Sequence, residues 1–139
     1  MKIDKECSVP HEGSGRIVAV KAVIQKAGRI LVVQRAKEDT MGGFYEFPGG
    51  GVEEGESMIE TLKRELFEEV GFEDVSNVNY HSCIDIPSME IHLIFYTAFS
   101  SESPQISLDH TDMRWINEVP YDIPLTPETE KILVTLFAA

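Results

Sequence analysis

With 139 residues, the chain suffices for one ordinary domain and leaves little room for a second. Apolar residues make up 42% of it, which excludes a disordered composition, and no run reaches the roughly 18 apolar residues that cross a bilayer. Twelve Lys and Arg against 24 Asp and Glu give a formal net charge of -12, so neither polymeric nucleic acid nor an acidic membrane is an expected partner.

Residues 1–15 are polar, broken by Pro10, Gly13 and Gly15, and read as an arm ahead of one domain over 16–139. No apolar segment precedes Val18, so a secretory leader is not expected and cytoplasmic residence is the default. Cys7 and Cys83 lack neighbours of metal-site spacing and read as two reduced thiols. Val, Ile and Ala dominate from Arg16 to Gln25, which predicts a strand. Ala27-Gly28 supplies a turn, and Arg29 to Gln34 gives the second arm of a hairpin. A polar loop over 35–45 leads into Phe47-Pro48-Gly49-Gly50-Gly51, a stretch that cannot continue a helix. A helix is predicted from Ser57 to Val70, with Ile59, Leu62, Leu66 and Val70 on its inner face. Ser57 and Glu60 have capping-box spacing, and Gly71 stands where a left-handed residue ends a helix. Strands are predicted over 75–84 and 90–99, a loop over 100–112, and a return to the core at Met113 to Ile116. Thr126 and Pro127 mark the start of a last helix with Ile132, Leu133, Leu136 and Phe137 as its stripe. The class is α/β with a mixed, partly antiparallel sheet.

Between Glu46 and Asp74 stand ten acids with only Lys63 and Arg64 as cations. Composition allows two readings, a solvated acidic face or a cation site. Glu65, Glu68 and Glu69 are spaced i, i+3, i+4 and share one side of the helix. The glycine run ahead of them lets backbone approach a ligand, and carboxylates with a backbone carbonyl form a hard oxygen set suited to Mg²⁺ or Mn²⁺. Such cations would turn a face that repels phosphate into one that holds it.

At this point a family resemblance becomes specific. Residues 50–72 match the 23-residue signature of the Nudix hydrolases at Gly50, Glu56, Arg64, Glu65, Leu66, Glu68, Glu69, Gly71 and Phe72. Phe72 replaces the usual aliphatic residue and keeps the position apolar. Tyr45 to Gly50 also resembles the segment ahead of that signature, with Tyr45 where tryptophan is common.

The resemblance implies an α/β/α sandwich and metal-dependent cleavage of a phosphoanhydride in a nucleoside diphosphate derivative. It implies that Glu65, Glu68 and Glu69, with a main-chain carbonyl of Gly49-Gly50, hold Mg²⁺ or Mn²⁺, and that Arg64 is part of the catalytic set and pairs with Glu56 between loop and helix. For the general base the family leaves Glu65, Glu69 and an acid in a later loop open. The loop 107–115 resembles the family's Glu-His-x-Glu-x-x-Trp segment, which makes Asp109 a catalytic candidate and Asp112 a second. From their position near the active loop, Arg35, Phe44, Tyr45 and His110 are candidates for substrate contact, with Lys37 further off. Trp115 reads as a core residue, and His11, His81 and His92 as surface or core histidines. The expected substrate is a small nucleotide, a nucleoside triphosphate ahead of ADP-ribose or another nucleoside diphosphate sugar. The short N-terminal part weighs against the larger ADP-ribose hydrolases, whereas Pro87, fifteen residues past Phe72, weighs weakly for them. A non-catalytic nucleotide-binding module is the rival from another class. Either a monomer or a homodimer is compatible with the sequence.

Overall fold

In the computed structural model, residues 3–4 and 15–138 are described. The chain runs β1 (Ile3–Asp4), β2 (Ile17–Lys26), β3 (Arg29–Arg35), β4 (Tyr45–Glu46), β5 (Gly49–Gly51), α1 (Met58–Val70), β6 (Ser76–Ile86), a 3-10 turn (Pro87–Met89), β7 (Ile91–Phe99), β8 (His110–Ile116) and α2 (Pro127–Phe137). The strands form one mixed sheet in the order β1-β6-β7-β2-β3-β4, with β5 added to β2 and β8 to β3. Only the β2–β7 pairing is parallel among these ladders, and it runs from Ile17 opposite Ile91 to Gln25 opposite Phe99.

Strand alternation divides the interior into two cores. Ala19, Val23, Ile30 and Val32 face one side with Ile132 and Leu133 of α2. Val20, Ala22, Ile24, Leu31 and Val33 face the other with Leu62, Leu66 and Val70 of α1. The sheet therefore lies between two helices, the expected sandwich.

Local signals were accurate guides here. Ala27 and Gly28 both have positive φ, 51° and 76°, as a two-residue hairpin turn of matching twist demands. The Ser57 side chain accepts the Glu60 N–H at 3.1 Å while Glu60 accepts the Ser57 N–H at 2.9 Å. Gly71 ends α1 in the left-handed region at φ 74°. Thr126 differs from expectation: its hydroxyl bonds Thr129 Oγ1 at 2.7 Å instead of capping α2 through a backbone N–H.

Three further readings need correction. The polar arm includes a short strand, because Ile3 pairs opposite Ile84 and Asp4 opposite Cys83. Cys83, buried beside that strand, is disulfide-bonded where a reduced thiol was expected; Cys7 and His11 lie outside the described residues. The strand expected from Met113 already starts at His110, since its polar first residues pair along β3, with His110 opposite Arg35. No helix among the described residues is long and apolar enough to cross a membrane.

Candidate active site

β5 lies so close to β2 that a Cβ on Gly49 would fall 2.0 Å from the Val20 carbonyl oxygen. One residue on, a Cβ on Gly50 would lie 2.4 Å from the carboxyl carbon of Glu65. Close approach to backbone thus requires glycine at the first position, whereas a side chain at the second would have to push the end of the Glu65 side chain aside. From the same helix, Glu69 accepts the Gly49 N–H at 2.8 Å.

Arg64 ties the loop to the helix, as expected. Its Nε and Nη2 bond Glu56 Oε2 and Oε1 at 2.6 and 3.0 Å, and Nη2 reaches the Gly51 carbonyl at 3.1 Å. Nη1 goes further, to Glu65 Oε1 at 2.8 Å and Glu68 Oε2 at 3.2 Å. Hydrogen bonds from Arg64, Thr61 and the Glu53 N–H bring the Glu56 carboxyl down to about 2. The Thr61 contribution, a hydroxyl 2.7 Å from Glu56, was not foreseen; one turn of helix separates Thr61 from Ser57, where the local pattern drew attention.

The three helix glutamates are therefore near one another but committed to internal donors. Among the described residues, no three His, Cys, Asp or Glu side chains stand as a ready metal cage. The Arg64 guanidinium bridges Glu65 and Glu68, and Glu69 is turned to Gly49 and His110. Like charges this close require a countercharge, and internal cations and N–H groups supply it.

Their burial states how incompletely. Glu65 and Glu69 side chains are 15% and 10% exposed. Burial raises the Glu65 carboxyl despite Arg64. Burial also raises Glu69, to about 7, although Lys21, His110 and the Gly49 N–H pull the other way. A hard, oxygen-rich set whose anionic form lacks sufficient positive charge fits a divalent cation.

Beside Glu69 lies a buried charge cluster centred on Glu46. Lys21 Nζ lies 3.2 Å from Glu46 Oε1, Arg35 Nη1 lies 3.0 and 3.2 Å from its two oxygens, and His110 Nε2 lies 3.7 Å from Oε2. Burial alone would raise the Glu46 carboxyl, but Lys21, His110 and Arg35 outweigh it and bring it down to about 2. Sequence reasoning placed Arg35 and His110 near the site and missed Lys21 and Glu46. A signal existed for Lys21, a lone charge inside the otherwise apolar run Val18 to Ile24.

The remaining candidates separate by exposure. Tyr45 is 3% exposed, its hydroxyl donates to Asp112 at 2.5 Å, and the Arg114 guanidinium covers its ring at 5.6 Å. A base therefore cannot stack on it, which corrects that assignment; the ring belongs to the α2-side core. Asp112 is accounted for by Tyr45 and Arg114. Phe44, half-buried, remains beside Arg35, whose N–H bonds the Phe44 carbonyl at 2.8 Å. Lys37 is exposed, and Asp109 stands exposed on the turn before β8, its N–H bonded to Ser107 Oγ at 3.2 Å. From that loop it is His110 that reaches Glu69, with Nε2 3.2 Å from Oε2. Trp115 packs against the α1-side core with Lys26 above its ring at 5.9 Å. His81 meets Ser82 Oγ at 2.8 Å and His92 is buried 3.5 Å from Asp85.

The glycine approach, the Arg64 tie and the enclosed glutamates occupy the segment that resembles the Nudix signature, and residues 14–133 match the profile of the NUDIX domain. The chain belongs to the Nudix family. It is 36% identical over 81 residues to an 8-oxo-dGTP diphosphatase from Proteus vulgaris, a match spanning 57% of this chain and 71% of that protein. It is 46% identical over 57 residues to a CTP pyrophosphohydrolase from Escherichia coli K12, spanning 41% of this chain and 42% of the other. A MutT NUDIX hydrolase structure from Burkholderia pseudomallei superposes with a TM-score of 0.69 at 24% identity, over 85% of this chain and 95% of that one, a likeness of fold. Nudix hydrolases generally need a divalent metal.

Proposed function

We propose that this Nudix hydrolase cleaves a nucleoside triphosphate to the nucleoside monophosphate and pyrophosphate, with Mg²⁺ or Mn²⁺ held by Glu65, Glu68, Glu69 and main-chain oxygen of Gly49-Gly50. The observation that carries this reading is the pairing of two enclosed glutamates against the glycine strand, with Glu69 held near 7 by burial. The cation supplies charge that neutralises phosphate oxygens and eases attack of water at phosphorus. The chain's own residues do the rest. Arg64 orders the glutamates by binding Glu56, Glu65 and Glu68 at once. Glu65 and Glu69, whose carboxyls burial raises, are the helix residues placed to accept the proton of the attacking water. Arg35, beside the enclosed glutamate cluster and 28% exposed, contacts phosphate, and Phe44 offers a ring to the base. Asp109, on the exposed turn before β8, is kept as an alternative base.

Pro87, the feature that weighed for a nucleoside diphosphate sugar, opens the 3-10 turn between β6 and β7 and has a structural reason to be there. Release of pyrophosphate, orthophosphate and nucleotide should be followed over triphosphates, oxidised triphosphates, ADP-ribose and other nucleotide sugars, with and without Mg²⁺. Pyrophosphate with monophosphate is the expected pair from a triphosphate. Orthophosphate release, or hydrolysis restricted to nucleotide sugars, refutes the substrate assignment. Binding without turnover at saturating Mg²⁺ and Mn²⁺ refutes the enzymatic one. Glu69→Gln should lower kcat by orders of magnitude and raise the Mg²⁺ needed, whereas loss of the base alone slows chemistry at nearly normal metal affinity.

A further inference from the structure

His110 opens β8 and is 8% exposed. Its Nδ1 lies 3.4 Å from Ser107 Oγ, and that hydroxyl oxygen accepts the Asp109 N–H at 3.2 Å. The Ser107 hydroxyl can donate to Nδ1 or accept from it, so the proton on Nε2 follows from what that nitrogen faces, since carboxylate oxygens only accept. Nε2 faces two carboxylates, Glu69 Oε2 at 3.2 Å and Glu46 Oε2 at 3.7 Å. Glu46 cannot follow the ring, since Lys21 from β2 and Arg35 from β3 hold it, and Lys21 also bonds the Phe47 carbonyl at 3.4 Å. Glu69 is thus gripped at one oxygen by the Gly49 N–H of β5 and at the other by an imidazole anchored on β8. Two donors from separate strands fix the plane of one carboxylate and leave its other lone pairs open.

We infer that His110 is a positioning residue for Glu69: its Nε2–H, steered by the Glu46–Lys21–Arg35 cluster, holds the carboxylate in the orientation that receives a cation. This rests on the reading of Glu69 as a cation ligand. It also gives the Ser107–His110 turn a mechanical link to the helix, so that a shift of this loop is felt at Glu69. Groups that donate to a metal-binding side chain typically matter about ten- to a hundredfold in metal affinity or activity.

The discriminating variants are His110→Gln, whose amide N–H replaces the Nε2 donor, and His110→Met, which keeps bulk and removes it. Binding of Mn²⁺ alone, kcat and KM for the triphosphate turned over best, and thermal melting should be measured for both. His110→Met should weaken Mn²⁺ binding by about ten- to a hundredfold and lower kcat to match, with KM close to wild type, and His110→Gln should recover most of both. Equal losses in two folded variants overturn the inference, because the donor would then not be what matters. So does wild-type Mn²⁺ affinity in His110→Met. Glu69→Gln, run in parallel, separates the two readings: if it binds Mn²⁺ and turns over like wild type, the cation site itself is misplaced, and if it alone fails, only the positioning role falls. Should His110→Met not fold, Ser107→Ala releases Nδ1 while leaving the ring, and must show a smaller loss of Mn²⁺ affinity in the same direction; no change refutes the role of the ring.

Discussion

Glu46→Gln is the cleanest probe of the buried charge cluster, because glutamine closely copies a protonated glutamate. Lys21, Arg35 and His110 surround a carboxylate that is only 8% exposed, and they lower it from the ordinary 4.5 to about 2. At about 1.4 kcal/mol for each pH unit, the anion is stabilised over the neutral acid by about 3 kcal/mol. The folded value lies below the unfolded one, so this stability is fully present above about pH 4.5 and is lost as pH falls towards 2. Urea unfolding of wild type and Glu46→Gln, followed by Trp115 fluorescence in metal-free buffer from about pH 7 to 3, reads the effect directly. The gap should be about 3 kcal/mol at neutral pH and roughly 1 kcal/mol at about pH 3, because below 4.5 the carboxyl of the unfolded chain takes up its proton while the folded one stays ionised until about 2. Any cost of poorer packing in the variant is independent of pH and would only offset both ends. A gap that stays constant over the whole range would show that charge is not what holds Lys21 and Arg35 to this residue.

Gly50→Ala should fold, since the added Cβ meets the end of a flexible side chain, but it should displace the Glu65 carboxylate; a tenfold or greater loss of kcat with unchanged far-UV circular dichroism is expected, and wild-type kcat would refute the close approach. Arg64→Ala should lower both melting temperature and activity, because Glu56, Glu65 and Glu68 lose one shared partner; wild-type values in both would mean that the tie is ornamental. Without metal, Glu69 is raised to about 7 from 4.5, so its charging works against the folded state as pH rises through that window. Metal-free protein should therefore lose stability between about pH 5 and 8, Mg²⁺ should remove that slope, and equal slopes with and without Mg²⁺ would refute the linkage.

What could be read from the sequence was what is local. The capping box at Ser57 and Glu60, the Gly71 stop, the Ala27-Gly28 turn and the Leu62–Leu66 stripe each depend on residues a few positions apart, and each is where its spacing placed it. The Arg64–Glu56 pair was legible for another reason, the fixed register of the signature. Pairings between distant segments left no comparable trace: nothing in Ile17 to Gln25 says that it runs parallel to Ile91 to Phe99. His110 and Asp112 look like loop because β8 begins polar, yet they pair along the β3 edge, opposite Arg35 and Gln34. Tyr45 misled through position alone. Nearness to the glycine strand suggested a stacking ring, whereas alternation along β4 sends it into the core and gives Glu46 to the site.

The acidic segment that opened two readings can now be divided. Glu53, 69% exposed, belongs to a solvated face, whereas Glu68, 55% exposed, stands at the open side of the cluster and is tied to it by Arg64. Glu46 is enclosed but has enough positive charge around it to titrate at about 2, and the half-buried Glu56 is brought to about 2 by its hydrogen bonds from Arg64, Thr61 and the Glu53 N–H. Burial drives Glu65 and Glu69 the other way, Glu69 to about 7 although Lys21 and His110 both pull it down. A second lysine would have removed this imbalance permanently and would also have repelled an incoming cation. The Lys21 charge is instead engaged by Glu46 on the way, so that Glu69 receives order through His110 and only part of the countercharge. A group left in that state is most stable when a mobile cation completes its surroundings, and Glu69 is the carboxylate whose neighbours are neutralised while it is not.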